Sequence, residues 1–210
     1  MEALRQAWLS VHPADYEQHM ANIGQAQANA RLTGRWLESL ESGAKIIMPG
    51  AGPGQMFAHL DPALWAPHEL TLTDIQPVFL KLLKQRAPAH AVITEDDIEA
   101  TRLTGPYTHA LIVLVLEHVA WRSALQSLKT WRIENVLVVI QQNPPEVASA
   151  VTPGVTVPGT MTAFRDTAHP HLLDPAELVA AMQALGYRLA RVDTETVAHG
   201  KQMLGHVFIT

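Results

Sequence analysis

Apolar and polar positions change period along the chain, and the change divides it. Over residues 1–41 apolar side chains recur at helical intervals, with Tyr16, Met20, Ile23, Leu37 and Leu40 forming a broken stripe. Pro13 suits a first helical turn, and Gly24 and Gly34 predict breaks or bends. From residue 45 the pattern becomes short apolar runs separated by amphipathic stretches. Runs at 45–48 (KIIM), 70–73 (LTLT), 91–94, 110–116 (ALIVLVL) and 135–140 (NVLVVI) predict five strands. Stretches at 55–60, 77–85, 120–130 and 174–185 predict helices between and after them. Pro175 stands in the first turn of the last helix and Gly186 at its end. Residues 187–194 and 203–209 predict two closing strands.

The run 110–116 is apolar at every position, as a strand is when helices cover both faces of a parallel sheet. Strands alternating with helices build βαβ units. The predicted fold is α/β: a doubly wound, mostly parallel seven-stranded Rossmann-like sheet with helices on both faces and a C-terminal antiparallel hairpin. The expected organisation is a single domain. It comprises an N-terminal helical cap (1–41), a ligand-binding core (42–140), a Pro- and Gly-rich loop (141–173), and a closing helix and hairpin (174–210). A loop of that length in a compact domain reads as a lid or substrate loop.

Composition narrows the function. Hydrophobic residues make up 48% and charged residues 17%, which excludes a disordered chain. The net charge of -5, with no basic run, argues against a binder of nucleic-acid backbone. There is no cysteine, so disulfides and thiolate metal sites are excluded. The opening MEALRQAWLS lacks a basic start followed by an apolar run, so no signal peptide is expected. No apolar stretch approaches the roughly 20 residues that span a bilayer. A cytoplasmic protein without a membrane partner is the expectation.

Three segments carry chemistry. Gly50-Ala51-Gly52-Pro53-Gly54 follows the first strand, where glycines allow a sharp turn and close approach of a ligand. Asp74 ends the second strand, where an acid can accept both hydroxyls of a ribose or, alternatively, cap the next helix. Glu95-Asp96-Asp97-Ile98 follows the third strand, where a carboxylate can accept an adenine amino group. A dinucleotide fingerprint needs a third glycine at position 55, which is Gln55; this disfavours NAD.

Together these segments resemble the class I S-adenosylmethionine (SAM)-dependent methyltransferases. IIMPGAGPG is similar to the family's first motif, LTLTDI to its acidic second-strand end, TEDDI to its adenine motif, and YTHALIVLVLEHV to its fourth strand. DPAELVAAMQALGYRL is similar to the helix before the final hairpin. The resemblance covers about residues 43–140 and 172–210. It implies SAM as cofactor and a methyl-transfer activity. It implies that Gly50, Ala51, Gly52 and Gly54 line the methionine end and ribose, and that Asp74 holds the ribose hydroxyls with Ile75 against the adenine. Asp97 and Ile98 would meet the adenine edge, with Asp96 as the rival carboxylate, and Val113 and Leu114 would flank the methionine portion. Two positions depart from the pattern: Met48 and Thr108 stand where many members carry an acid.

The remaining candidates concern the acceptor. His118 follows the fourth strand and is a possible general base, or with Glu117 a helix cap. Tyr16, His19 and Met20 in the cap, and Asn143, Phe164, Arg165 and His169 in the long loop, mix polar with apolar groups as small-molecule pockets do. Eleven histidines include an H-x-H pair, His169 and His171, but no third ligand stands at a telling spacing, so no metal site is expected. Methyl transfer requires proximity and orientation rather than a nucleophile triad, and none is found. The leading reading is an enzyme methylating a small molecule. The others are a non-catalytic module or partner subunit of the same fold, and an RNA or protein methyltransferase.

Overall fold

The computed structural model describes residues 2–145, 159–168 and 172–210. Seven strands form one sheet: β1 (Lys45–Met48), β2 (Glu69–Asp74), β3 (Val92–Glu95), β4 (His109–Val113), β5 (Asn135–Gln142), β6 (Arg188–Thr196) and β7 (Gln202–Ile209). Their order is β3-β2-β1-β4-β5-β7-β6. The first five pair in parallel, while β7 runs antiparallel between β5 and β6. This is the doubly wound sheet with a C-terminal hairpin that the periodicity predicts.

Side-chain alternation in the central strands explains the continuous apolar runs. Ile46, Leu111, Leu137 and Val139 enter one core layer, with Trp36, Leu70 and Leu72. Ile47, Ala110, Ile112, Val136, Val138 and Ile140 enter the other, with Leu125, Leu128 and Leu178. Each face needs its own helical cover. Helices α3 (Gln25–Leu37) and α4 (Pro62–Trp65) cover the first layer. Helices α6 (Trp121–Ala124), α7 (Gln126–Trp131) and α9 (Pro175–Ala184) cover the second. Asp174 caps α9 by accepting from Ala176 N at 2.7 Å, one position before Pro175.

Several boundaries differ from the sequence pattern, each for a physical reason. The helical cap is three helices: α1 (Glu2–Leu9), α2 (Pro13–Ile23) and α3. Gly24 breaks α2 from α3 by turning left-handed at φ 70°. Gly34 does not break anything; it lies inside α3, where a Cβ would make ordinary contact with Leu60 at 3.4 Å and Leu64 at 3.6 Å. The segment 55–60 forms a 3₁₀ helix over Gln55–His59 rather than an α-helix. Strand β4 ends at Val113, short of 116, because Leu114 adopts a left-handed φ of 55° and peels the chain away from the sheet. Within 141–173 the periodicity missed a helix, α8 (Gly159–Ala168).

The turn after β1 carries three left-handed glycines. At Gly50, φ 61°, a Cβ would stand 2.5 Å from Val115 Cγ2. Gly50→Ala is therefore expected to lower stability by about 1–3 kcal/mol, read as a shifted denaturant midpoint, from φ strain and overpacking together. An unchanged midpoint would refute this reading of the turn.

Candidate active site

Strand order reverses between β1 and β4, so the chain leaves the carboxyl ends of these strands in opposite directions and opens a crevice there. That crevice is an open cleft at the strand ends. Gly50, Gly52, Asp74, Ile75, Asp96, Asp97, Ile98, Val113 and Leu114 line it, so nine of the eleven cofactor candidates share one cavity. At Gly52 a Cβ would find only Tyr16 Cε1 at 3.8 Å and Gln55 Oε1 at 4.0 Å, so this glycine leaves open space above the turn. Gly54 sits behind the turn, where a Cβ would lie 2.8 Å from Leu83. Ala51 faces a side chamber described below.

Asp74 is 2% exposed, at the end of β2. Its Oδ2 accepts from Gly52 N and its Oδ1 from Gln76 N, both at 2.9 Å. It therefore fastens the glycine turn rather than capping the next helix α5 (Pro77–Arg86), whose N-cap residue is Gln76. Burial pushes its carboxyl up to about 6 against the lowering effect of those backbone N–H groups. Beyond β3, Asp96 Oδ1 accepts from Arg102 N at 3.1 Å, while its buried Oδ2 has no partner among the described residues. Both Asp97 oxygens are engaged, Oδ1 by Glu99 N at 3.0 Å and Oδ2 by Arg5 Nε at 3.3 Å.

Helices α1 and α2 roof the cleft, and α8 packs against both and walls its first side chamber. Trp8 of α1 stacks on His118, with ring centroids 5.1 Å apart, and meets Tyr16, Phe79 and Phe164 edge-on at 5.3–5.8 Å. Thr160 N and Oγ1 both donate to Asp15 Oδ2, at 2.9 and 2.6 Å, tying α8 to α2. These bonds hold the Asp15 carboxyl below its ordinary range.

Two side chambers branch from the cleft at Tyr16 and Leu114. The first is lined by Trp8, Tyr16, His19, Met20, Met161 and Phe164, with Gln25, Glu117, His118 and Gln141 as its polar groups. Glu117 is 2% exposed; its Oε1 accepts from Gln141 N at 3.0 Å, and its Oε2 has no partner among the described residues. Burial pushes its carboxyl up to about 7. His19, also buried, is lowered to about 4 by burial and by the nearby Lys201 ammonium, so it is neutral at pH 7. Its Nδ1 has no partner among the described residues. Lys201 is itself fully buried, and burial lowers its ammonium to about 8.

Of the acceptor candidates, Tyr16, His19, Met20, Phe164 and His118 meet at this chamber. Asn143 lies one step away, its Oδ1 accepting from Gln141 Nε2 at 2.7 Å. Arg165 lies on α8, and His169 and His171 fall outside the described residues. The sequence reading did not single out Trp8, Gln25, Gln141 or Lys201, and took Glu117 only as a possible cap. Trp8 and Gln25 look like ordinary positions on amphipathic helices, so nothing local marks them; only packing brings them to the strand ends. Glu117 did carry a signal, as an acid directly after an all-apolar strand. Among the described residues no cluster of metal-ligating side chains occurs, and no helix is long and apolar enough to cross a membrane.

No protein-family model matches the sequence, and no curated protein matches it. Solved structures do. The plantazolicin methyltransferase BpumL in complex with S-adenosylhomocysteine (SAH) superimposes with a TM-score of 0.71 at 13% identity, over 99% of this chain and 94% of that one. Magnesium protoporphyrin IX methyltransferase (ChlM) from Synechocystis PCC 6803 with bound SAH gives 0.63 at 15% identity, covering 86% and 82%. Geranyl diphosphate methyltransferase in complex with GPP and sinefungin gives 0.62 at 11% identity, covering 86% and 76%. At such identities the likeness is one of architecture: the chain has the class I methyltransferase fold.

Proposed function

We propose that the protein is a SAM-dependent methyltransferase acting on a small-molecule acceptor. The observation that carries this reading is the single cleft in which a glycine turn, a buried carboxylate and an apolar wall converge at the strand ends. The parts fit a nucleoside: Asp74 for ribose hydroxyls, Ile75 and Ile98 for the faces of a base, and acids after β3 for its amino group. Its Oδ2, without a partner among the described residues, favours Asp96 for that amino group, leaving Asp97 to hold Arg5 across the cleft. Gly50, Ala51, Gly52, Val113 and Leu114 line the path of the methionine portion, and Gly54 gives the turn its shape. Neighbours of the same fold hold SAH or SAM, and two are named for small acceptors, magnesium protoporphyrin IX and geranyl diphosphate.

Bound in the cleft, SAM supplies an activated sulfonium methyl. The chain's own residues do the rest. Trp8, Tyr16, His118 and Phe164 exclude water and give the acceptor apolar walls. Glu117 receives at Oε2 a hydrogen bond from the acceptor's N–H or O–H and takes that proton as the nucleophile is methylated. His118 then serves as a wall, stacked on Trp8, and the base is its neighbour in sequence.

Titration calorimetry tests the reading. Purified protein is expected to bind SAH saturably, and to transfer methyl from SAM to members of a panel of small amines and hydroxyl compounds. Absence of SAH binding would overturn it. SAH binding with turnover confined to RNA would overturn the small-molecule acceptor.

A further inference from the structure

The second chamber off the cleft is lined by Tyr16, Met20, Ala26, Asn29, Met48, Gly50, Ala51, Gln55, Met56, Val113 and Leu114. None of these side chains is charged. Among them Asn29, on α3, is 3% exposed, and its fully enclosed Oδ1 has no hydrogen-bond partner among the described residues. A buried primary amide left unbonded costs free energy, and such groups are rare. Its two polar neighbours, Tyr16 and Gln55, lie against each other rather than against its Oδ1.

The two chambers differ in what they suit. The Glu117 chamber offers a proton acceptor. The Asn29 chamber opens beside the glycine turn and offers neutral dipoles. An α-amino acid group is a zwitterion with no net charge. It needs at least one hydrogen-bond acceptor for the ammonium and one donor for the carboxylate, and a single primary amide offers both kinds. A buried acid would satisfy the ammonium alone and repel the carboxylate.

We infer that Asn29, in the chamber with Met48, Gly50 and Ala51, binds the α-amino acid end of the cofactor, so that this end is recognised by an amide rather than by a carboxylate. The inference rests on the cofactor reading above. It makes Asn29 a binding residue for the half of the ligand that Asp74 does not touch.

Three titrations test it: wild type, Asn29→Leu and Asn29→Ala, each with SAH and with 5′-methylthioadenosine, which keeps the nucleoside and lacks the amino acid. Hydrogen bonds to charged groups predict that both variants lose about ten-fold or more in SAH affinity. Their affinity for methylthioadenosine should stay within about two-fold, which also reports an intact fold and nucleoside site. SAH affinity unchanged in both variants would overturn the inference. So would parallel loss of both ligands in both variants, which would mark Asn29 as a packing residue. A wild-type protein that binds neither ligand would instead overturn the cofactor reading.

Discussion

Glu117→Gln is expected to stabilise the protein at alkaline pH while removing most of its acceptor turnover. The burial that makes Glu117 a base also makes its charge costly. Its carboxyl is pushed to about 7 from an ordinary 4.5. A carboxyl raised on folding contributes stability that is fully present below its unfolded value and is lost as pH rises through the folded one. Wild type therefore loses, between about pH 4.5 and 7, stability that the glutamine variant keeps. A shift of that size corresponds to about 3–4 kcal/mol. Glutamine can still accept from Gln141 N, so the loop it holds stays in place. His19 acts in the opposite sense: its lowered value makes stability rise as pH climbs from about 4 toward its ordinary 6.5. Both proteins share that slope, so it cancels in the difference. Urea denaturation at pH 5 and pH 8 is the measurement, with a gap that opens at pH 8. Turnover should fall by about 10²–10⁴, with SAH affinity unchanged. A gap that is the same at both pH values would mean that Glu117 ionises as an ordinary acid, and unchanged turnover would remove it as the base.

Asp74→Ala is expected to weaken SAH by more than the loss of a ribose contact. Charged hydrogen bonds to two hydroxyls account for about 1.5–3 kcal/mol, or about 10- to 150-fold. The same carboxylate also holds Gly52 N and Gln76 N, and its removal frees the turn that shapes the cleft. The combined loss should exceed about 100-fold, measured by calorimetry. Asp74→Asn should fall between, because its amide retains one oxygen acceptor for two backbone donors. Equal affinities for wild type and Asp74→Ala would rule out the ribose assignment.

What the sequence determined by itself is local and periodic. An all-apolar run such as residues 110–116 has one stable home, the middle of a parallel sheet, and the turn chemistry of 49–54 dictates where a strand must end. Strand count, sheet class and the segments that meet at the strand ends were legible for that reason. So were Gly50, Gly52, Asp74, Asp96, Ile98 and Leu114 as a group, because in a doubly wound fold all such segments open onto one crevice. The tertiary structure decided what the other groups do. Asn29, Gln25 and Trp8 occupy helices whose local pattern is that of any amphipathic cover, and their role depends on which way the packed helix turns them. Glu117 and His118 are adjacent in sequence, yet one becomes a partly unbonded buried carboxylate and the other the underside of Trp8. Both side chains line the first chamber, reached where Leu114, with its left-handed backbone, bends the chain out of β4. Periodicity carries the fold because burial repeats along the chain. The site depends on contacts between residues far apart in sequence, such as Gln141 N with Glu117 and Trp8 with Phe164, and no local pattern encodes those.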